Sequence, residues 1–207
     1  MAKKSYFYHL KISLSTVKPV VWREFVVPGT IPLDLLHDVI QAVMGWRDTH
    51  LHEFVIKGEN YTEYPPENVS PVIAEEIKAE NHDESLTRLQ DVVSRKGQTF
   101  DYLYDFGDYW MHQLKVIDRL AYDEQTETIE IECLNGENAC PPDDCGGPYG
   151  YLELKKAIDD PKHPEHEDIL MWLGGDFEPL YFDPDEATTQ LAWLQRWSRR
   201  RKLWWFE

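Results

Sequence analysis

Three short stretches of this chain carry the residue types that could do chemistry. The first is Met44-Gly45-Trp46 running into His50-Leu51-His52. Two histidines two positions apart on a strand share a face, and Phe54 and Ile56 continue that face. The second is Tyr104-Asp105-Phe106-Gly107-Asp108-Tyr109-Trp110 running to His112. Asp105 and Asp108 bracket a tight turn, where short acids bond the local backbone but can also hold a divalent ion or move a proton. The third is Cys140-Pro141-Pro142-Asp143-Asp144-Cys145-Gly146-Gly147. Its prolines stiffen the loop and its glycines permit close backbone approach.

These stretches supply two candidate constellations. His50, His52, Asp105, Asp108, Trp110, His112, Asp143 and Asp144 would line a ligand cleft. His50, His52, His112 and Cys133 point to the apolar side of the sheet by alternation, and Cys140 and Cys145 lie near in sequence, so these six are the candidate metal ligands. Imidazole and thiolate suit zinc. Cys140 and Cys145 are five apart, however, which is not the paired Cys-x-x-Cys spacing of structural zinc knuckles. Nothing in the sequence points to a nucleophile elbow, an ordered Ser-His-Asp set or a phosphate-binding glycine loop, so no catalytic residue is assigned.

The elements that must position these residues are legible from periodicity. Tyr6 to Leu14 alternates and predicts a strand. Val20 to Val27 predicts its hairpin partner across a loop near Ser15–Lys18. Leu33, Leu36, Ile40 and Val43 fall at helical spacing with Gly45 as the stop. Strands are expected over His50–Lys57, Gln98–Asp105, Tyr109–Leu120 and Thr128–Cys133. Helices are expected over Tyr149–Ile158, Pro164–Leu173 and Asp185–Trp197. Strands first and helices last predicts an α+β fold: a mostly antiparallel sheet with helices packed on one face and a helical C-terminal third. Residues 1–183 read as one domain, with an exposed acidic insertion over 64–85 that carries a short helix near Val72–Lys78. Residues 184–207 read as a C-terminal helix and a basic, Trp-rich tail.

Composition narrows the function classes. The chain has 207 residues and a formal net charge of −17, which repels nucleic acid and anionic membrane. Arg196–Lys202 is the only basic cluster, so a nucleic-acid partner is expected only there; the ordinary reading is cations at a helix C-terminus. No apolar run approaches the ~20 residues of a membrane span. An odd count of three cysteines points to a reducing, cytoplasmic compartment.

The combination of Val21-Trp22-Arg23, Leu36-His37, Ile40-Gln41, Met44-Gly45-Trp46, His50-Leu51-His52-Glu53-Phe54, Tyr104-Asp105-Phe106-Gly107-Asp108, Trp110, His112, Cys140-Pro141-Pro142, Gly146-Gly147-Pro148 and Gly150-Tyr151 resembles the plasmid (Ri plasmid) ORF-three-like family. Its members are also labelled insertion-element passenger or TnpR-like proteins. The resemblance runs from about Tyr6 to Asp183 and implies a single α+β domain without fixing an activity. The resolvase label is not carried over. Ser5, Ser13 and Ser15 sit in or beside a hairpin without an arginine cluster, and the bulk charge has the wrong sign. Asp143 stands where the family usually has Glu, which keeps the charge and shortens its reach by one methylene. The expectation is therefore a cytoplasmic binding domain for a protein or small ligand, with zinc as the fitting metal. The alternatives are a metal-dependent hydrolase or nuclease-like enzyme, and a nucleic-acid accessory protein of mobile elements.

Overall fold

A computed structural model of the chain describes residues 5–64, 69–122, 130–175 and 177–200, with side chains through Trp193. The N-terminal alternation becomes β1 (Ser5–Leu14), whose Tyr8, Leu10, Ile12 and Leu14 are fully buried. β2 (Val21–Pro28) returns antiparallel against it, with Leu14 opposite Val21. The first helix, α1 (Leu33–Met44), lays Leu33, Leu36, Val39, Ile40 and Val43 into the core. Each such side chain contributes about 1.5–3 kcal/mol relative to exposure. Gly45 ends α1 in the left-handed region at φ 95°, its N–H on the Gln41 carbonyl, a conformation that glycine alone adopts cheaply.

β3 (His52–Ile56) and β4 (Glu59–Thr62) form a hairpin. A connection containing α2 (Pro71–Glu80) leads to β5 (His82–Asp83), which pairs parallel to β4. A 3-10 turn at Glu84–Leu86 and the short α3 (Leu89–Val92) precede β6 (Thr99–Tyr104) and β7 (Trp110–Tyr122). β8 (Glu132–Glu137), α4 (Gly147–Asp159), α5 (His166–Leu173) and α6 (Pro184–Arg200) complete the described elements. Strand order is β5-β4-β3-β6-β7-β1-β2-β8 in one eight-stranded sheet. α6 packs on α1 and β8 and buries Ala187 and Leu191.

The fold class expected from the sequence is corrected. The sheet is mixed, because β4 and β5 run parallel. Parallel neighbours need a crossover, and α2 supplies it. Residues 69–85 therefore contribute an edge strand as well as exposed surface. The short helix expected near Val72–Lys78 is α2, which buries none of its residues; the edge strand that follows it was not expected. The final third is not a helical block either. α4, α5 and α6 are separated from β8 and from one another by irregular chain, notably Asn138–Gly146 and residues 177–183, while α1, α2 and α3 are interleaved with the strands. The strand expected over Thr128–Cys133 starts later, at Glu132, and runs on through Asn135-Gly136. Thr128 and Ile129 lie outside the described residues, as do Pro65 and Pro66. No described helix is long and apolar enough to cross a membrane.

Candidate functional site

The three motif stretches meet at one end of the sheet. Beyond Gly45 the chain turns Trp46 inward, 7% exposed. Its indole Nε1–H donates to the Pro141 carbonyl at 2.9 Å, and its ring lies 4.6 Å from that of Tyr104. The Tyr104 hydroxyl accepts from the Thr49 N–H at 3.2 Å and donates to Asp143 Oδ1 at 3.4 Å. One tyrosine at the end of β6 thus touches both the α1–β3 connection and the proline-stiffened loop.

The β6–β7 turn is organised by Asp105. It sits at φ 57°, a region that Asp tolerates better than most residues. Its Oδ1 accepts from the Gly107 and Asp108 N–H groups at 2.8 and 3.3 Å, and its carbonyl accepts from Tyr109 N–H at 2.7 Å. That commits one carboxylate oxygen to the turn. The other, Oδ2, faces His50 Nε2 at 3.6 Å. Asp108 reaches the other way, and its Oδ2 accepts from the Gly146 N–H at 3.1 Å. The far loop then presents Asp144, at φ 60°, with Oδ1 3.3 Å from the same His50 Nε2. That nitrogen is buried and makes no hydrogen bond.

His50, Asp105 and Asp144 therefore converge from three separate segments, and their ligand atoms lie within 4.8 Å of one another. Asp143 stands beside them. Burial raises its carboxyl above the ordinary range, with His50 acting in the opposite sense. Asp143 and Asp144 also belong to the wall of a cavity of about 600 Å³. Its other walls include Trp46, Arg47, Trp172, Phe177, Tyr181 and Phe182. At its base Arg23 is 1% exposed and donates to the carbonyls of Val43, Trp22, Glu137 and Asn138. Four carbonyls replace water around a guanidinium that has no carboxylate partner among the described residues, and burial lowers its pKa to about 10.

The remaining sequence candidates sit elsewhere. Trp110 and His112 are fully buried beneath the site. His112 lies edge-on to Trp46 at 5.1 Å between ring centroids, and burial pushes its pKa down to about 4; it supports the site as a neutral ring. β3 begins only at His52, so His50 lies outside the strand and the expected shared face does not apply. His52 turns into a second cluster, its ring stacked on His37 at 3.5 Å between centroids and 8° between planes.

The six expected zinc ligands do not form one set. β8, which carries Cys133, is five strand steps from β3, which carries His52, and each step is about 4.8 Å. Alternation fixes which side of a sheet a residue faces but not which strands are neighbours. The three cysteines are free. Burial pushes Cys133 up to about 11 and Cys145 up to about 12, and raises Cys140 as well. Thiols held neutral in this way are poor redox groups. Among the described residues, the potential metal groups are His50/Asp105/Asp144 and His37/Asp48/His52, neither containing a cysteine. The side chains of Arg196–Lys202 lie outside the described residues.

Sequence reasoning left Trp46 and Tyr104 out of the site, although both lie in the motifs. It also missed His37, Asp48 and Glu84. For His37 a signal was present, since His37 and Gln41 fall one helical turn apart on the stripe of Leu33, Leu36 and Ile40.

Fold and site together define an α+β domain with a mixed sheet and a loop-walled cavity beside a histidine–carboxylate cluster. The chain belongs to the plasmid pRiA4b ORF-3-like protein family, matched over residues 6–186. It is 36% identical over 199 residues to the uncharacterized protein y4hQ of Sinorhizobium fredii, covering 93% of this chain and 95% of that one. It is also similar to the crystal structure of a protein of unknown function, MM3350, from Methanosarcina mazei Go1. The TM-score there is 0.75 with 33% identity, over 89% of this chain and 98% of that one.

Proposed function

We propose that this chain is a binding domain whose ligand enters the cavity beside the Cys140–Asp144 loop, with a divalent cation held on the cavity rim by His50, Asp105 and Asp144. One observation carries the reading: an imidazole nitrogen without a hydrogen bond faces two carboxylate oxygens at 3.3 and 3.6 Å. Metal–ligand bonds of ~2.0–2.2 Å at tetrahedral angles place ligand atoms about 3.4 Å apart, so the spacing fits a zinc-sized ion. Three protein ligands leave the fourth position to water or to the ligand in the cavity.

Calorimetric titration of the full chain with Zn²⁺ tests this. Asp105→Asn keeps an oxygen for the Gly107 and Asp108 N–H groups and removes only the charge that faces His50. It should weaken zinc binding at the rim at least tenfold, about 1.4 kcal/mol, and His50→Ala should do the same. Unchanged binding in both variants would refute the reading.

A metal-dependent hydrolase is the second reading, favoured by Asp143. Burial raises its proton affinity and it sits beside the cluster, where its carboxylate could take the proton of an ion-activated water. Zinc- or manganese-dependent hydrolysis of a nitrophenyl phosphate diester, lost in Asp143→Asn, would support it; no turnover above buffer would exclude it for that substrate class.

A further inference from the structure

A second, more deeply buried cluster lies on the other side of the α1–β3 connection. His37 on α1 and His52 on β3 are stacked face to face, with side chains 5% and 8% exposed. His37 Nε2 contacts Asp48 Oδ1 at 2.9 Å, and His52 Nε2 contacts Glu84 Oε2 at 2.9 Å. His37 Nδ1 meets the Tyr102 hydroxyl at 2.8 Å. That hydroxyl accepts from Gln41 Nε2 at 3.0 Å, and Gln41 Oε1 in turn accepts from Asp48 N–H at 3.0 Å.

We propose that His37, Asp48 and His52 form a second metal centre, for a first-row divalent ion such as zinc, with Glu84 and Tyr102 as its outer partners. One ligand atom from each of the three residues lies within 4.8 Å of the others. Metal-bound histidines need their second ring nitrogen held by a carboxylate or another polar group. Both rings meet that need. Tyr102 holds Nδ1 of His37 and leaves Nε2 for the ion; Glu84, 2% exposed, holds Nε2 of His52 and leaves Nδ1. Asp48, with its side chain 57% exposed, gives the ion a path from solvent and leaves a coordination position on that side. Binding requires the proton between His37 and Asp48 to leave, and the stacked rings to tilt apart about their Cβ–Cγ bonds so that both aim at one point.

The test uses the full chain carrying His50→Ala and Asp105→Asn, which disable the rim cluster. Titration with Co²⁺ should show one equivalent bound, with the strong visible absorption of a four-coordinate ion. Adding Asp48→Asn should remove that binding, with folding checked by circular dichroism. Glu84→Gln, which keeps a hydrogen bond to His52, should weaken it about 10–100-fold. Absence of bound Co²⁺ in the double variant would overturn the proposal, as would binding indifferent to both further substitutions. Binding at the rim cluster is read separately, in the chain with His50 and Asp105 intact and Asp48→Asn.

Discussion

A β-carbon on Gly147 would stand 2.6 Å from the carbonyl oxygen of Asp108. The proline-stiffened loop and the β6–β7 turn thus touch backbone to backbone, a contact reinforced by the Asp108 carboxylate on the Gly146 N–H. Gly147 is also at φ 68°, where any other residue is strained.

Gly147→Ala should therefore combine backbone strain with overpacking, a loss of about 2–4 kcal/mol. For a domain of this size that lowers the Tm by roughly 5–15 °C. Gly174, at φ 75° with nothing within 4 Å of its β-carbon position, is the control; Gly174→Ala should cost only about 1 kcal/mol. Thermal denaturation of the two variants checks the difference. Equal shifts would show that the loop-to-turn contact is not tight.

How much of this was legible in the sequence depends on the range of the interaction. α1 could be read because its stripe and its Gly45 stop are local, and the observed helix ends at Met44. The β1–β2 hairpin and the Asp105–Asp108 turn were readable for the same reason. Alternation correctly turned His52, His112 and Cys133 inward, since all three are buried. It could not order the strands, so it grouped Cys133 with histidines that lie strands away from it. The helix near Val72–Lys78 was read and is α2, but the parallel β4–β5 pairing was not, because β5 is two residues long and too short to show a period. Asp48 and Glu84 were unreadable because their meaning comes only from the histidines they face, which no spacing rule predicts.

Trp46→Phe should detach the Cys140–Asp144 loop while keeping most of the aromatic packing. The lost bond leaves the Pro141 carbonyl unpaired near the core, a cost of about 1–3 kcal/mol. Urea denaturation should show that loss, and zinc binding at the rim should weaken with it, because Asp144 is positioned by the same loop. Loss of stability with rim binding intact would separate the loop from the site.

His112 should govern part of the acid limb of stability. Its folded pKa, about 4, lies below the ~6.5 of an unfolded histidine. Between those values the unfolded chain binds a proton that the folded chain refuses. Stability therefore falls as pH drops from ~6.5 to ~4, by up to about 1.4 kcal/mol per pH unit; above ~6.5 the group has no effect. His112→Phe removes this contribution. The stability difference between variant and parent should shift in favour of the variant by about 2 kcal/mol between pH 7 and about pH 5. His37, which burial also holds low, is common to both chains and cancels. A difference independent of pH would show that His112 is not buried neutral.

The central claim is that chain segments far apart in sequence meet to hold one cation at the cavity rim. Anomalous diffraction at the zinc edge, from crystals of the full chain grown with Zn²⁺, tests it most directly. The account predicts a peak at bonding distance, ~2.0–2.2 Å, from His50 Nε2 and the Asp105 and Asp144 carboxylates. A zinc-loaded crystal with no peak among those three residues would contradict it.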